Sequence, residues 1–218
     1  NQETEAFLLK IKFPITVGYG MTECAPLISF TTDDLFKAGS CGMYIKEYLD
    51  LRIDSPDPFK QVGEILTKGM NVMDGYYNNP EASNTVLSPD GWLHTGDLGV
   101  LDPDGYLYIK GRSKSLILGP SGQNIYPEEI EDLLNAQPYI AESLVIEREG
   151  KLVALVYPDA EAMKQNKISR ETLLKIIHET RKQINQQLPA YSQIARIEIH
   201  DEEFEKTPKR SIKRFLYQ

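Results

Sequence analysis

The chain has 218 residues, 41% hydrophobic and 26% charged, with a formal net charge of −8. That is the composition of a globular protein of one large domain or two small ones. The acidic balance argues against a nucleic-acid or anionic-membrane partner, since both reward clustered Lys and Arg. No apolar run approaches the ~20 residues of a membrane helix, and the opening NQETEAF is unlike a signal peptide. Two cysteines, Cys24 and Cys41, make no disulfide framework, so the cytoplasm is the default compartment. A start at Asn1 rather than Met leads to the expectation of a piece excised from a longer chain.

Residues 3–11 place Phe7, Leu8 and Ile11 on one helical face, and Pro14 is expected to stop that helix. Ile15 to Val17 reads as a short apolar strand feeding Gly18-Tyr19-Gly20. Helix, strand and glycine loop is the local grammar of an open α/β sheet, where ligands sit beyond the strand ends. Only one such unit is present, so the strand is expected to lack neighbours. An unpaired apolar strand is an association hazard, which suggests a dimer formed through it.

From residue 36 to 110 the pattern turns to β. Leu49, Leu51 and Ile53 alternate with Asp50 and Arg52, and Val62 to Thr67 is a second strand. Asp102-Pro103-Asp104-Gly105 is a turn before the strand Tyr106 to Ile109. The whole stretch reads as a small barrel or a distorted sheet. Residues 111–218 read as a separate α+β domain. Pro127 opens a helix with Glu128, Glu129 and Glu131 near its positive end, and Ile130, Leu133 and Leu134 on its apolar face. Ser143 to Tyr157 is a hairpin turning at Glu149-Gly150. Ser169 caps a helix with apolar Leu173, Ile177, Ile184 and Leu188, stopping before Pro189. Arg196 to Ile199 alternate as a strand, and the basic tail TPKRSIKRFLYQ closes the chain.

Three polar clusters can carry chemistry. In and just before YGMTE, Gly20 and Gly18 let the backbone approach a ligand, Tyr19 offers a stacking face, and Thr22 can donate to a phosphate oxygen. Glu23 beside a phosphate would need a hard cation between them, which makes it a candidate Mg²⁺ ligand. The plainer reading is a turn followed by the start of a helix. In GWLHTGD, Asp97 can accept two hydrogen bonds from a vicinal diol, or simply make a turn. His94 reads as structural. Arg112 opens GRSKSLILGPSGQNIYPEEIE. It can fork onto a planar or anionic group, or sit in a surface ion pair. Asp97 and Arg112, flanking the Tyr106–Ile109 strand, can converge on one ribose.

In this order, YGMTE, GWLHTGD and GR followed by G-x-N-I-x-P-E-E-I-E resemble the C-terminal signature motifs of the adenylate-forming enzymes. The NIYPEEIE run and the KRFLY ending look most like bacterial long-chain fatty-acid–CoA ligases. The resemblance spans about residues 7 to 217. It implies an α+β chain: a β-rich remnant of the family's large domain, then a small mobile α+β C-terminal domain. The boundaries are residues 1–35, 36–110 and 111–218. It implies an enzyme that joins a carboxylic acid, expected to be a fatty acid, to AMP from ATP with Mg²⁺, then passes the acyl group to coenzyme A. On this resemblance Tyr19 stacks on adenine and Gly20 lies against the nucleotide. Thr22 contacts phosphate and Glu23 holds the metal. Asp97 and Arg112 hold the ribose hydroxyls. Lys114 is the hinge of the small domain, and the loop Leu118 to Gly122 lines the coenzyme A entrance.

Two departures qualify it. The family's Ser/Thr/Gly-rich phosphate loop, expected well upstream of YGMTE, is absent, so the chain is expected to be the C-terminal part of a longer enzyme and inactive alone. The family's tail lysine, which contacts the reacting groups, aligns with Ser211. A hydroxyl cannot stabilise developing charge as an ammonium does, so Lys209 or Lys213 is expected to substitute, with Lys213 preferred. Rival readings are an adenylation domain that loads a carrier protein, and a non-catalytic nucleotide-binding module.

Overall fold

The computed structural model describes residues 2–208 and 210–218. The chain divides after Lys114 into two compact units, 1–114 and 115–218.

The first unit opens with α1 (Gln2–Lys10). Lys12, in the left-handed region at φ 55, ends the helix. The Phe13 amide returns to the Leu8 carbonyl at 2.9 Å and the Lys12 amide to the Leu9 carbonyl at 3.0 Å. That is a Schellman-type stop, placed before the expected stop at Pro14. The expected apolar face is not buried: Phe7 is 60% and Ile11 52% exposed.

No strand forms over residues 15–17. The Thr16 hydroxyl instead donates to the Thr31 carbonyl. Pairing starts at β1 (Tyr19–Gly20), which runs antiparallel to β2 (Leu27–Phe30), itself antiparallel to β3 (Met43–Tyr44). The expected strand does not form here, so the unpaired strand on which the dimer rested is not there, and the sheet that follows it is small and antiparallel.

β4 (Leu49–Asp54), β5 (Gly63–Gly69), β6 (Leu93–Leu101) and β7 (Leu107–Arg112) form an antiparallel sheet in sequence order, with α2 (Pro80–Val86) between β5 and β6. Leu49 and Ile53 are buried while Asp50 and Arg52 are exposed, the alternation of a half-covered strand. The register slips once between β5 and β6 and once between β6 and β7. Asn79 caps α2 by accepting from the Ala82 amide, with Pro80 in its first turn. Cys41 and Gly42 exchange backbone bonds with Leu107, which ties the small sheet to β7. Both cysteines are free thiols.

The second unit begins with a two-stranded ribbon, β8 (Ile117–Leu118) and β9 (Asn124–Ile125), followed by α3 (Pro127–Asn135). β10 (Ile140–Arg148) and β11 (Lys151–Pro158) form a hairpin whose turn residues, Glu149 and Gly150, both have positive φ. Those two positions are what a tight hairpin turn demands. α4 (Ala160–Gln165) and α5 (Arg170–Gln187) lead to β12 (Ile194–Ile199), which adds parallel to β11. Ser169 caps α5 by accepting from the Thr172 amide. Leu173, Ile177 and Ile184 of α5 join Ile130 and Leu134 of α3 in one core against the sheet.

The basic tail is tied to the second unit at Arg214. Arg214 donates to both oxygens of Glu131, at 2.7 and 3.0 Å, and to the Val145 carbonyl at 2.7 Å. Glu131 also accepts from the Val145 amide at 2.6 Å. Burial pushes the Glu131 carboxyl up, against the pull of the Arg214 guanidinium.

Candidate functional site

Tyr19, Asp97 and Arg112 meet in the first unit. The Tyr19 hydroxyl donates to Asp97 Oδ2 at 2.7 Å, and Arg112 Nε lies 2.9 Å from Oδ1. Asp97 is buried, at 6% exposure, while the Arg112 side chain is 68% exposed. A carboxylate this deep needs partners for its charge, and these two provide them. The ion-pair reading of Arg112 is the one seen directly: the arginine pairs with Asp97 and keeps most of its surface in solvent.

The strand around Asp97 is held on several sides. The Thr95 hydroxyl donates to the Ile65 carbonyl at 2.8 Å and accepts from the Asp97 amide at 3.1 Å. Glu64 accepts from the Gly96 amide at 2.9 Å with one oxygen, and its other oxygen lies 2.9 Å from His94 Nδ1. Gly96 has φ 72, a conformation costly for residues with a side chain. His94 pairs with Glu64 across the sheet, and Thr-Gly-Asp is part of β6 rather than a free turn.

Tyr19 packs against two cores of this unit, one built on Cys24, Ile28, Leu49 and Leu93 and the other on Ile53, Ile65 and Leu107. Burial first, and then the neighbouring Asp97 charge, push its phenol above the usual tyrosine range. Gly20 has a reason internal to the fold: an added Cβ would stand 1.9 Å from the Pro26 carbonyl oxygen. Here β1 approaches the backbone that leads into its partner strand.

Thr22 and Glu23 lie in a 3₁₀ turn, Thr22–Cys24, so the plainer reading of this pentapeptide is also partly realised. Thr22 is exposed and Glu23 half-buried. The Tyr76 hydroxyl donates to Glu23 Oε1 at 3.0 Å, and the Glu23 carbonyl accepts from the Met73 amide at 2.9 Å. Desolvation first, then the Glu23 carboxylate, raise the Tyr76 phenol. No group of three or more His, Cys, Asp or Glu residues forms a metal cage among the described residues. Glu23 fits magnesium only in the manner of a cation held by one carboxylate and by phosphate oxygens.

Lys114 is exposed and is the last residue of the first unit. Gly122 and Lys213 belong to the second unit. Gly122 has φ 80 and closes a turn on Gly119 at 2.9 Å. Lys213 Nζ pairs with Glu205 at 3.1 Å. Ser211 is exposed, and its amide is 3.3 Å from the Thr207 hydroxyl. Lys209 lies outside the described residues.

Glu64 and Tyr76 carry site geometry that sequence reasoning missed. Glu64 sits 32 positions before Gly96 and Tyr76 53 after Glu23, with no motif linking either pair. The doubled tyrosine Tyr76-Tyr77 ahead of the Asn79-Pro80 helix start is the sole local hint for the second.

Residues 1–77 match the family model described as AMP-binding enzyme, and residues 114–217 match AMP-binding enzyme C-terminal domain. The long-chain-fatty-acid–CoA ligase of Escherichia coli O6:H1 is 43% identical over 129 residues, 57% of this chain and 23% of that protein. The 2-succinylbenzoate–CoA ligase of Bacillus cereus is 38% identical over 174 residues, 77% of this chain and 35% of that protein. All of this chain aligns with 44% of the o-succinylbenzoate coenzyme A synthetase of Bacillus subtilis solved with AMP, at 27% identity and TM-score 0.79. The same enzyme has also been solved with ATP and a magnesium ion. The chain thus spans about a quarter to a third of those curated relatives' length. Among the described residues, no helix is long and apolar enough to cross a membrane.

Proposed function

Since this chain belongs to the AMP-binding enzyme family, we propose that it supplies the nucleotide-holding and tail segments of an AMP-forming acid–coenzyme A ligase. The observation that carries this reading is the buried Asp97 carboxylate held between Tyr19 and Arg112. A buried acid fixed by two donors suits a ribose diol.

The roles follow from the chemistry of each group. Tyr19 presents its ring to adenine. Asp97 accepts from the ribose hydroxyls, and Arg112 adds a second polar partner. Thr22 donates to a phosphate oxygen. Glu23 holds magnesium, which when bound neutralises phosphate charge. Lys114, where the chain passes between the two units, is the hinge of the second unit; hinges concentrate backbone rotation in a few residues. Leu118 to Gly122 lines the entrance for coenzyme A. Lys213 takes the place of a tail lysine, released from Glu205 to meet the reacting carboxylate and phosphate.

A long-chain fatty acid is the substrate to try first, on the name of the E. coli relative. Relatives named for 2-succinylbenzoate and indoleacetate make other acids the controls.

The test is a ligand-observed NMR titration of the purified chain with AMP, paired with an assay for acyl-AMP from ATP and palmitate. Saturable AMP binding without acyl-AMP formation is expected. No AMP binding overturns the nucleotide role, and acyl-AMP formation overturns the expectation that the chain is inactive without the phosphate loop. In a whole ligase containing this chain, Lys213→Ala should slow acyl-AMP formation; an unchanged rate removes Lys213 from the reaction.

A further inference from the structure

We propose that the Tyr19 hydroxyl is a positioning group that sets the specificity of the site for a ribonucleotide over a 2′-deoxyribonucleotide, acting through Asp97. The inference rests on the nucleotide-binding reading above and deepens it.

An ionised carboxylate offers about four acceptor positions, two on each oxygen. Tyr19 takes one on Oδ2 at 2.7 Å, and the Arg112 guanidinium lies 2.9 Å from Oδ1 as an ion pair that can take at most one more there. One position remains on each oxygen, and a vicinal diol brings two hydroxyl donors side by side. The occupied positions orient the free ones. Without the Tyr19 bond, the carboxylate keeps, of these two anchors, only the exposed Arg112, and can rotate about its final bond.

Three observations make Tyr19 suited to this. Its half-buried ring packs against two separate cores, so the hydroxyl has little freedom. It lies 78 positions from Asp97 in sequence and on another sheet, so it brings a support that β6 does not itself provide. Its phenol is held protonated by burial and by the Asp97 charge, so it remains a donor at neutral pH. A bond to an ionised acceptor is also the stronger kind.

The experiment compares AMP with 2′-deoxy-AMP, by ligand-observed NMR titration, on the unaltered chain, Tyr19→Phe, Asp97→Asn and the double variant. Phenylalanine keeps the ring that would stack on adenine and the packing on both cores. The unaltered chain should prefer AMP by about tenfold, the size of one good hydrogen bond to a charged group. Tyr19→Phe should keep binding 2′-deoxy-AMP within about twofold and lose most of the preference. Asp97→Asn should lose the preference as well, and the double variant should lose no more than Asp97→Asn alone, as expected of groups acting as a unit. A Tyr19→Phe chain that weakens both ligands equally, or keeps its full preference, overturns the inference. So does one that no longer folds, because the bond then serves stability. Failure of the unaltered chain to bind AMP overturns the functional reading first. AMP binding with no preference overturns this inference alone.

Discussion

Asp97 and Arg112 are direct cross-strand partners because β7 carries one residue more than β6 between them. From Leu101–Leu107 to Gly99–Ile109 the strands pair in simple register. The next pair is Leu98–Gly111, which leaves Lys110 as the extra residue, and Asp97 then faces Arg112. Without this bulge Asp97 would face Gly111. A one-residue slip reverses the faces of a strand, and bulges re-aim side chains in this way.

Removing either partner of that pair should have unequal effects on stability. Asp97→Ala leaves the Tyr19 hydroxyl without its acceptor in a buried setting, and should cost about 1–3 kcal/mol in urea denaturation. Arg112→Ala leaves the buried Asp97 charge without its counter-ion and should cost more, about 3–5 kcal/mol. Both should weaken AMP binding. Equal stability losses would contradict the burial of the Asp97 charge.

The Tyr19 phenol also predicts a pH dependence. Its folded value is raised above the ordinary 10.0. In the unfolded chain it ionises first as pH rises through that value, so the protonated folded form loses relative stability. Its contribution is whole below pH 10.0 and fades above it. Melting temperatures at about pH 8 and about pH 11 should therefore fall further apart in the unaltered chain than in Tyr19→Phe. An equal fall in both would place Tyr19 outside the linkage.

Gly20→Ala should destabilise the first unit by about 1–3 kcal/mol, the usual range for forcing extra atoms into packed space. The added methyl group would meet the Pro26 backbone, which cannot rotate aside as a side chain can. Urea melts followed by tyrosine absorbance would show it. Tolerance at Gly20 would mean that β1 and β2 can separate freely.

Glu131→Gln should destabilise the second unit by about 3 kcal/mol, since it leaves the Arg214 charge half-buried without its counter-ion. The Arg214 and Glu131 side chains are 18% and 12% exposed, so solvent replaces little of what is lost. The downstream residues of the tail should then become susceptible to carboxypeptidase. A tail equally protected in both chains would show that Phe204 and Tyr217, whose rings meet edge to face at 5.2 Å, hold it alone.

Much of the fold was legible in the residues. The capped helices at Pro127 and Ser169, the Glu149-Gly150 turn and the alternating strand from Leu49 are set by neighbours within a few positions, where turn geometry, capping and side-chain alternation act. The errors came where tertiary contacts overrode local preference. Ile15 to Val17 has the composition of a strand, yet Thr16 bonds to Thr31 and pairing begins at Tyr19. Phe7 and Ile11 share a helical face that periodicity alone would bury, and both are exposed.

By itself the sequence determined the α+β class, the order of the motifs and the kinship they carry, because residue type and spacing hold that information directly. It also named Tyr19, Asp97 and Arg112. Only the tertiary structure decided how they relate. The bulge at Lys110 turns Arg112 onto Asp97, and two cores hold the Tyr19 hydroxyl against the same carboxylate. Only the structure, too, joins Glu131 to Arg214 across 83 positions. Contacts this distant in sequence depend on strand register and on which apolar faces meet, and no short window of residues contains either.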